Sequence, residues 1–161
     1  MVIVVMGVSG SGKTTVGSLL ATSLGWEFAD ADEYHSRENV EKMSLGVPLT
    51  DVDRVPWLQS LRARIGAWLD SEKDAVLACS ALRQTYRNQL RINEDVHFVY
   101  LKGTPDLLAE RLLERRDHYM KPSMLESQLA TLEEPADAVV EDAGLAPQEI
   151  VHNIRESFAL H

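Results

Sequence analysis

The 161-residue sequence predicts an α/β fold of three layers, a five-stranded parallel sheet covered by helices on both faces. Three observations predict it. The uninterrupted apolar run Met1–Met6 and the largely apolar stretches Ala75–Cys79 and Val96–Leu101 have the pattern of strands buried on both faces. Stretches with helical periodicity separate them, as in Val16, Leu20 and Leu24. A glycine-rich loop follows the first apolar run and opens the first helix.

Taken in order, Met1–Met6 is the first strand, Gly7 to Gly12 the loop, and Gly25 the stop of the first helix. Trp26–Ala29 is a short second strand running into Asp30-Ala31-Asp32, and residues 35–45 form a helix. Gly46, Pro48 and Pro56 bracket a loop, after which Trp57, Leu61, Ile65 and Trp68 or Leu69 mark an amphipathic helix. Ala75–Cys79 and Val96–Leu101 enclose a helix at Arg83–Arg91. Thr104-Pro105-Asp106 starts the next one, with a hydroxyl cap, a first-turn proline and an acid at the positive end of the dipole. That helix enters the basic stretch Arg111–Lys121; a polar helix, a short strand at Ala138–Val140 and a last helix from Pro147 complete a single domain spanning 1–161.

Apolar residues make up 45% and charged residues 25%, ordinary for a globular domain. No apolar run approaches the ~18 residues of a membrane span, and Met1–Met6 is too short for a signal-peptide core. The single cysteine, Cys79, excludes an internal disulfide and suits a reducing cytoplasm. A net charge of −9 argues against nucleic acid as a partner. The few places where basic residues gather are therefore informative.

Gly7-Val8-Ser9-Gly10-Ser11-Gly12-Lys13-Thr14, followed by Thr15, fits G-x-x-x-x-G-K-[ST] at every fixed position. Such a loop turns successive N–H groups toward phosphate oxygens, and the helix behind it adds its dipole. In this pattern Lys13 reaches the β- and γ-phosphates of ATP, and the Thr14 hydroxyl ligates Mg²⁺. No N-K-x-D guanine-reading motif is present, and the chain is short for a large coupling ATPase. An acidic pair after strand two and a late arginine-rich segment fit a kinase of small molecules, in which the arginine segment closes over ATP.

Further stretches carry a closer resemblance: Asp32-Glu-Tyr-His35, Asn39-Val-Glu-Lys-Met43, Pro48-Leu-Thr-Asp-Val-Asp-Arg54 with Pro56-Trp57-Leu58, Cys79-Ser-Ala-Leu-Arg83 with Tyr86-Arg87, and Tyr100-Leu-Lys-Gly103. The late segment adds Arg111, Arg115, His118, Lys121, Met124-Leu125, Gln128, Thr131-Leu132 and Glu134-Pro135. On these residues the chain resembles the gluconate kinases, a family of small P-loop kinases related to shikimate and adenylate kinases. The resemblance weakens after about residue 141. Ser36 stands where the family often has proline, and Ala31 where it often has glycine.

The resemblance implies a P-loop kinase fold with a mobile lid at about 111–124, ATP and Mg²⁺ as cofactors, gluconate as acceptor, and a homodimer. It implies that Asp30 sits near Mg²⁺ and that Asp32 faces the C6 hydroxyl of gluconate as the base. His35 becomes a hydroxyl contact, and Ser80 lines the pocket. Arg54 is a planar fork suited to a carboxylate. Arg83 and Arg87 hold either the same carboxylate or the transferring phosphate, and the sequence does not divide these roles. Arg111 lies against adenine, and Arg115 or Arg116 reaches the γ-phosphate.

Cys79, Trp57 and Trp68 read as core, and His152 and His161 as surface. Two rival readings are a kinase of another polyol or sugar acid, such as shikimate, and a non-catalytic nucleotide-binding module.

Overall fold

The computed structural model describes residues 1–114 and 124–161. Five strands, β1 (Val2–Met6), β2 (Glu27–Asp30), β3 (Ala75–Ala78), β4 (Val96–Lys102) and β5 (Val139–Asp142), form one sheet in the order β2-β3-β1-β4-β5, with every pairing parallel. Val2 stands opposite Ala75 on one side and Val96 on the other, which places β1 at the centre.

Alternation along β1 divides the core. Val2, Val4 and Met6 turn to one face, where α3 (Asp51–Asp70) and α4 (Gln84–Leu90) bury Leu61, Ile65, Trp68 and Leu90. Ile3 and Val5 turn to the other, against α1 (Lys13–Leu24) and α7 (Pro147–Ser157) through Val16, Leu20, Ile150 and Ile154. Each such fully buried aliphatic side chain is worth roughly 1.5–3 kcal/mol, so the two half-cores hold the sheet edge that carries the site. A third cluster, Val8, Leu82, Leu108, Leu112 and Leu125, packs α5 (Pro105–Glu114) and α6 (Met124–Thr131) over that edge.

The expected elements are present, with one relocation. Pro56 does not bound a loop; it lies inside α3, which starts at Asp51 rather than at Trp57. Thr50 and Asp53 form a reciprocal capping box, Asp53 N–H donating to Thr50 Oγ1 at 3.1 Å and Thr50 N–H to Asp53 Oδ2 at 2.9 Å. The cap holds the first turns helical although proline removes one donor. Val52, whose carbonyl loses that donor, is 80% exposed. α2 (Arg37–Ser44) follows a 3₁₀ turn, Ala31–Tyr34, and Ser36 caps it through Asn39 N–H. Most of the expected lid, 115–123, and with it Arg115, Arg116, His118 and Lys121, lies outside the described residues.

Candidate active site

The loop between β1 and α1 crosses the carboxyl edge of the sheet. Gly12, with φ 92°, is the left-handed N-cap of α1, a conformation that admits glycine without strain. Gly10 (φ 86°) passes so close to α5 that a Cβ there would stand 2.8 Å from the Leu108 carbonyl. Ser9, Ser11 and Lys13 are buried, and among the described residues the Ser11 hydroxyl has no hydrogen-bond partner. A buried glycine-rich loop backed by a helix N-terminus, with the Ser11 hydroxyl unpartnered in its wall, fits a polyphosphate.

The loop is a wall shared by two cavities. The first, about 290 Å³, is lined by Ser11, Gly12, Thr15, Val16, Arg111 and Pro147, among others. The Arg111 guanidinium donates to the carbonyls of Gly10 (3.4 Å), Ser11 (3.3 Å) and Ala143 (2.5 Å). It therefore stitches the phosphate loop to the β5–α7 connection and forms one side of a slot suited to a flat heterocycle.

The second cavity brings together Ser9, Lys13, Asp32, His35, Arg54 and Ser80, with Trp57 beneath and Met124, Ser127, Gln128 and Thr131 of α6 above. It encloses only about 30 Å³, room for a water or two. α6 is fastened over it: Ser9 N–H donates to Gln128 Oε1 at 2.8 Å, and Gln128 Nε2 to Ser9 Oγ at 3.0 Å.

Asp30 and Asp32 sit on different elements. Asp30 ends β2, while Asp32 stands on the 3₁₀ turn, its N–H donating to Asp30 Oδ1 at 2.9 Å. The second Asp30 oxygen accepts from Thr14 Oγ1 at 2.8 Å. Thr14 and Asp30 thus present two adjacent oxygens beside the phosphate loop, a donor set that suits Mg²⁺, which takes one or two protein oxygens alongside phosphates and water.

His35 stacks on Trp57, ring centroids 4.4 Å apart and planes 11° apart. The indole is fixed in turn by Trp57 Nε1 donating to the Ala31 carbonyl at 2.8 Å. Burial lowers the His35 pKa to about 4, with the Arg54 charge pushing the same way and Asp32 opposing, so the ring is neutral near pH 7.

Arg54 is on the first turn of α3, not in a loop. Its Nη1 donates to the Tyr86 hydroxyl at 3.1 Å, and that hydroxyl donates to Asp51 Oδ1. Arg83, the residue preceding α4, reaches the same Asp51 oxygen at 3.7 Å.

Arg83 and Arg87 are not among the residues lining the second cavity. Arg87 is 2% exposed, and its guanidinium donates to the carbonyls of Ala81 and Glu133, both at 2.7 Å, and to Gln84 Oε1 at 3.1 Å. Two of these bonds brace backbone carbonyls and the third a side chain, so the structure places Arg87 as a brace outside the second cavity rather than as the expected substrate contact. Its hold on Ala81 secures a left-handed alanine (φ 46°), a strained turn that swings the loop after β3 so that Ser80 meets the pocket. Cys79 is buried core, its thiol pushed up to about 12 chiefly by desolvation.

Sequence reasoning gave no role to Asp51, Tyr86, Asn39 or Gln128. A T-x-x-D capping box at Thr50 was available as a signal, and it would have put Asp51 and Arg54 on one helix turn. Tyr86 and Gln128 belong to the stretches that carry the resemblance, but they act across long sequence separations that their local pattern does not reveal.

Two cavities meeting at one phosphate loop are what phosphoryl transfer between a nucleotide and a small acceptor needs, and a P-loop kinase of small molecules is the class that fold and site define. The chain belongs to the gluconokinase family, within the wider group described by the shikimate kinase family model, which matches residues 9–159. It is 47% identical to a probable gluconokinase of Dictyostelium discoideum, over 97% of this chain and 82% of that one. With a gluconokinase of Gluconobacter oxydans it shares 51% identity, over 84% of this chain and 76% of the other. A solved gluconokinase structure from Sinorhizobium meliloti superposes with a TM-score of 0.85 at 43% identity, covering 98% of this chain and 90% of that one.

Proposed function

We propose that the protein transfers the γ-phosphoryl group of ATP to the C6 hydroxyl of gluconate, giving 6-phosphogluconate and ADP. The observation that carries this reading is convergence. Lys13 at the start of α1, Asp32 on the 3₁₀ turn after β2 with His35 at its C-cap, and Arg54 on α3 come from three separate segments and line one pocket on the far side of the phosphate loop from the Arg111 slot.

The acceptor oxygen forms a bond to the γ-phosphorus while the bond to the β,γ-bridging oxygen breaks, and the hydroxyl proton passes to the Asp32 carboxylate. The reaction is largely positioning and charge stabilisation. Lys13 supplies a cation to the phosphoryl oxygens, and Arg54 offers a planar fork to the gluconate carboxylate. Thr14 and Asp30 would hold Mg²⁺, which when bound neutralises charge on the β- and γ-phosphates. Arg115, in the proposed lid at about 111–124, or its neighbour Arg116, approaches the γ-phosphate in this reading. The pocket's small volume and its α6 cover imply that α6 withdraws to admit gluconate and returns to exclude water. The same reading places the protein in the cytoplasm; a homodimer rests on the family resemblance. Among the described residues no helix is long and apolar enough to cross a membrane.

The test is a coupled assay of ADP release with Mg·ATP and a panel of gluconate, shikimate, glucose, glycerate and adenosine monophosphate. The expected result is turnover with gluconate. Turnover with shikimate instead would keep the kinase and overturn the acceptor, and ATP binding without turnover on any of them would favour a nucleotide-binding module.

A further inference from the structure

Asn39 is buried, 6% exposed, at the start of α2, and its side-chain amide makes two contacts. Nδ2 donates to the Asp53 carbonyl at 2.8 Å and lies 3.4 Å from His35 Nδ1. A backbone carbonyl can only accept, so the atom facing Asp53 must be the nitrogen, and this fixes which way the amide points. The other amide hydrogen is then directed at His35. Two N–H groups cannot face one another, so Nδ1 must be the bare nitrogen of the ring. In a neutral imidazole the proton then resides on Nε2.

The platform beneath this contact is rigid. Asp53 receives Lys42 Nζ at 3.0 and 3.1 Å and belongs to the capping box of α3, so the carbonyl that orients Asn39 is anchored by both helices. Trp57 holds a face of the imidazole by stacking, while Asn39 meets its edge at Nδ1. Ring plane and ring tautomer are therefore set by different residues.

We infer that Asn39 is a positioning residue that holds His35 in its Nε2–H tautomer, so that the ring offers the acceptor pocket a hydrogen-bond donor and no base. This rests on the reading of that pocket as the gluconate site and deepens it. A donor-only His35 beside Arg54 and Lys13 recognises oxygens bearing lone pairs, as a polyhydroxy acid presents throughout its length. It also leaves the C6 hydroxyl proton to Asp32, because Nε2 already carries one. An acceptor lacking the oxygen that meets Nε2–H leaves a buried donor unpaired and is rejected.

The experiment reads the tautomer directly. Long-range ¹H–¹⁵N spectra of ¹⁵N-labelled protein, with His35 assigned by its loss in His35→Gln, are recorded near neutral pH without substrate. The expected result is a protonated Nε2 and an unprotonated Nδ1; a protonated Nδ1 overturns the inference. In Asn39→Leu the constraint disappears, the tautomers mix, and KM for gluconate rises about tenfold, the value of one hydrogen bond. KM for ATP stays within about twofold in that variant, because the nucleotide slot is untouched. An Asn39→Leu protein that folds and keeps both the wild-type tautomer and the wild-type KM for gluconate also overturns it. Should that variant fail to fold, the wild-type spectrum decides alone. Absence of turnover with gluconate would sink the functional reading, while the tautomer, read without substrate, stands or falls separately.

Discussion

The hydroxyl of Thr14 and the carboxylate of Asp30 are joined by a 2.8 Å hydrogen bond that ties the helix behind the phosphate loop to the end of the edge strand β2. Two side chains sixteen residues apart are brought together because β2 lies beyond β3, so that α1 must cross the sheet face to reach it. In the proposed reading these two oxygens, one of them anionic, are the hard donors that would hold Mg²⁺.

Asp30→Asn is expected to raise the Mg²⁺ concentration needed for half-maximal rate, since it removes the charge from that pair. Asp32→Asn is expected to lower kcat by about 10²–10⁴ and to leave the Mg²⁺ dependence in place, as loss of a general base does. Magnesium titrations of both variants at saturating ATP and gluconate separate the roles. An Asp32 variant within a few-fold of wild type removes it as the base.

Arg54→Ala should raise KM for gluconate by roughly 10–100-fold, a hydrogen bond to a charged group being worth about 1.5–3 kcal/mol, with KM for ATP nearly constant. Asp51→Asn should produce a smaller rise, because Asp51 holds Arg54, both through the Tyr86 hydroxyl and by a direct ion pair at 3.9 Å, without lining the pocket itself. Initial-rate kinetics with each substrate varied in turn checks both; an effect confined to ATP contradicts the carboxylate role.

Arg87→Met should behave as a stability lesion. The buried Ala81 carbonyl and the part-buried Glu133 carbonyl lose their donor, which costs roughly 1–3 kcal/mol, most of it at Ala81. Thermal unfolding should shift downward, while KM for gluconate in the folded fraction stays near wild type. Loss of gluconate affinity at unchanged Tm would return Arg87 to the substrate site.

The acid limb of stability should carry the signature of His35. Its pKa is held at about 4 by burial, against 6.5 when exposed, so on acidification the unfolded chain takes the proton first. Stability from this group is complete above about 6.5 and is lost as pH falls toward 4. His97, also lowered by burial, adds to the same slope. Asp53, held at about 2 by backbone and side-chain hydrogen bonds from Thr50 and by the Lys42 ammonium, acts only below its ordinary 3.8. Calorimetry across the upper window should show a shallower fall for His35→Gln than for wild type.

Much of this was legible in the chain. The apolar runs identified the strands because a strand buried on both faces leaves no room for alternation, and the eight-residue phosphate motif located the sheet edge that carries chemistry. Lys13, Asp32, His35, Arg54 and Ser80 do converge on one pocket. Where local pattern misled, a longer-range interaction had overridden it. Pro56 read as a loop boundary, yet the Thr50–Asp53 cap carries a helix through it. Arg83 and Arg87 read as a pair of substrate-facing cations, yet Arg87 meets the Glu133 carbonyl, 46 residues away, which no spacing rule encodes.

Cys79 closes β3 beside the pocket residue Ser80, is 1% exposed, and has a thiol pushed up to about 12. As the only thiol in the sequence, it makes alkylation a single-site clock for opening of the central sheet. An iodoacetamide-type reagent can reach it only when the buried end of β3 and the connection after it open, so the labelling rate tracks transient opening rather than surface reactivity. Any small molecule that binds the folded form slows that clock in proportion to its occupancy. The chain thus carries an intrinsic reporter through which acceptors and nucleotides can be ranked without turnover, chromophore or tag.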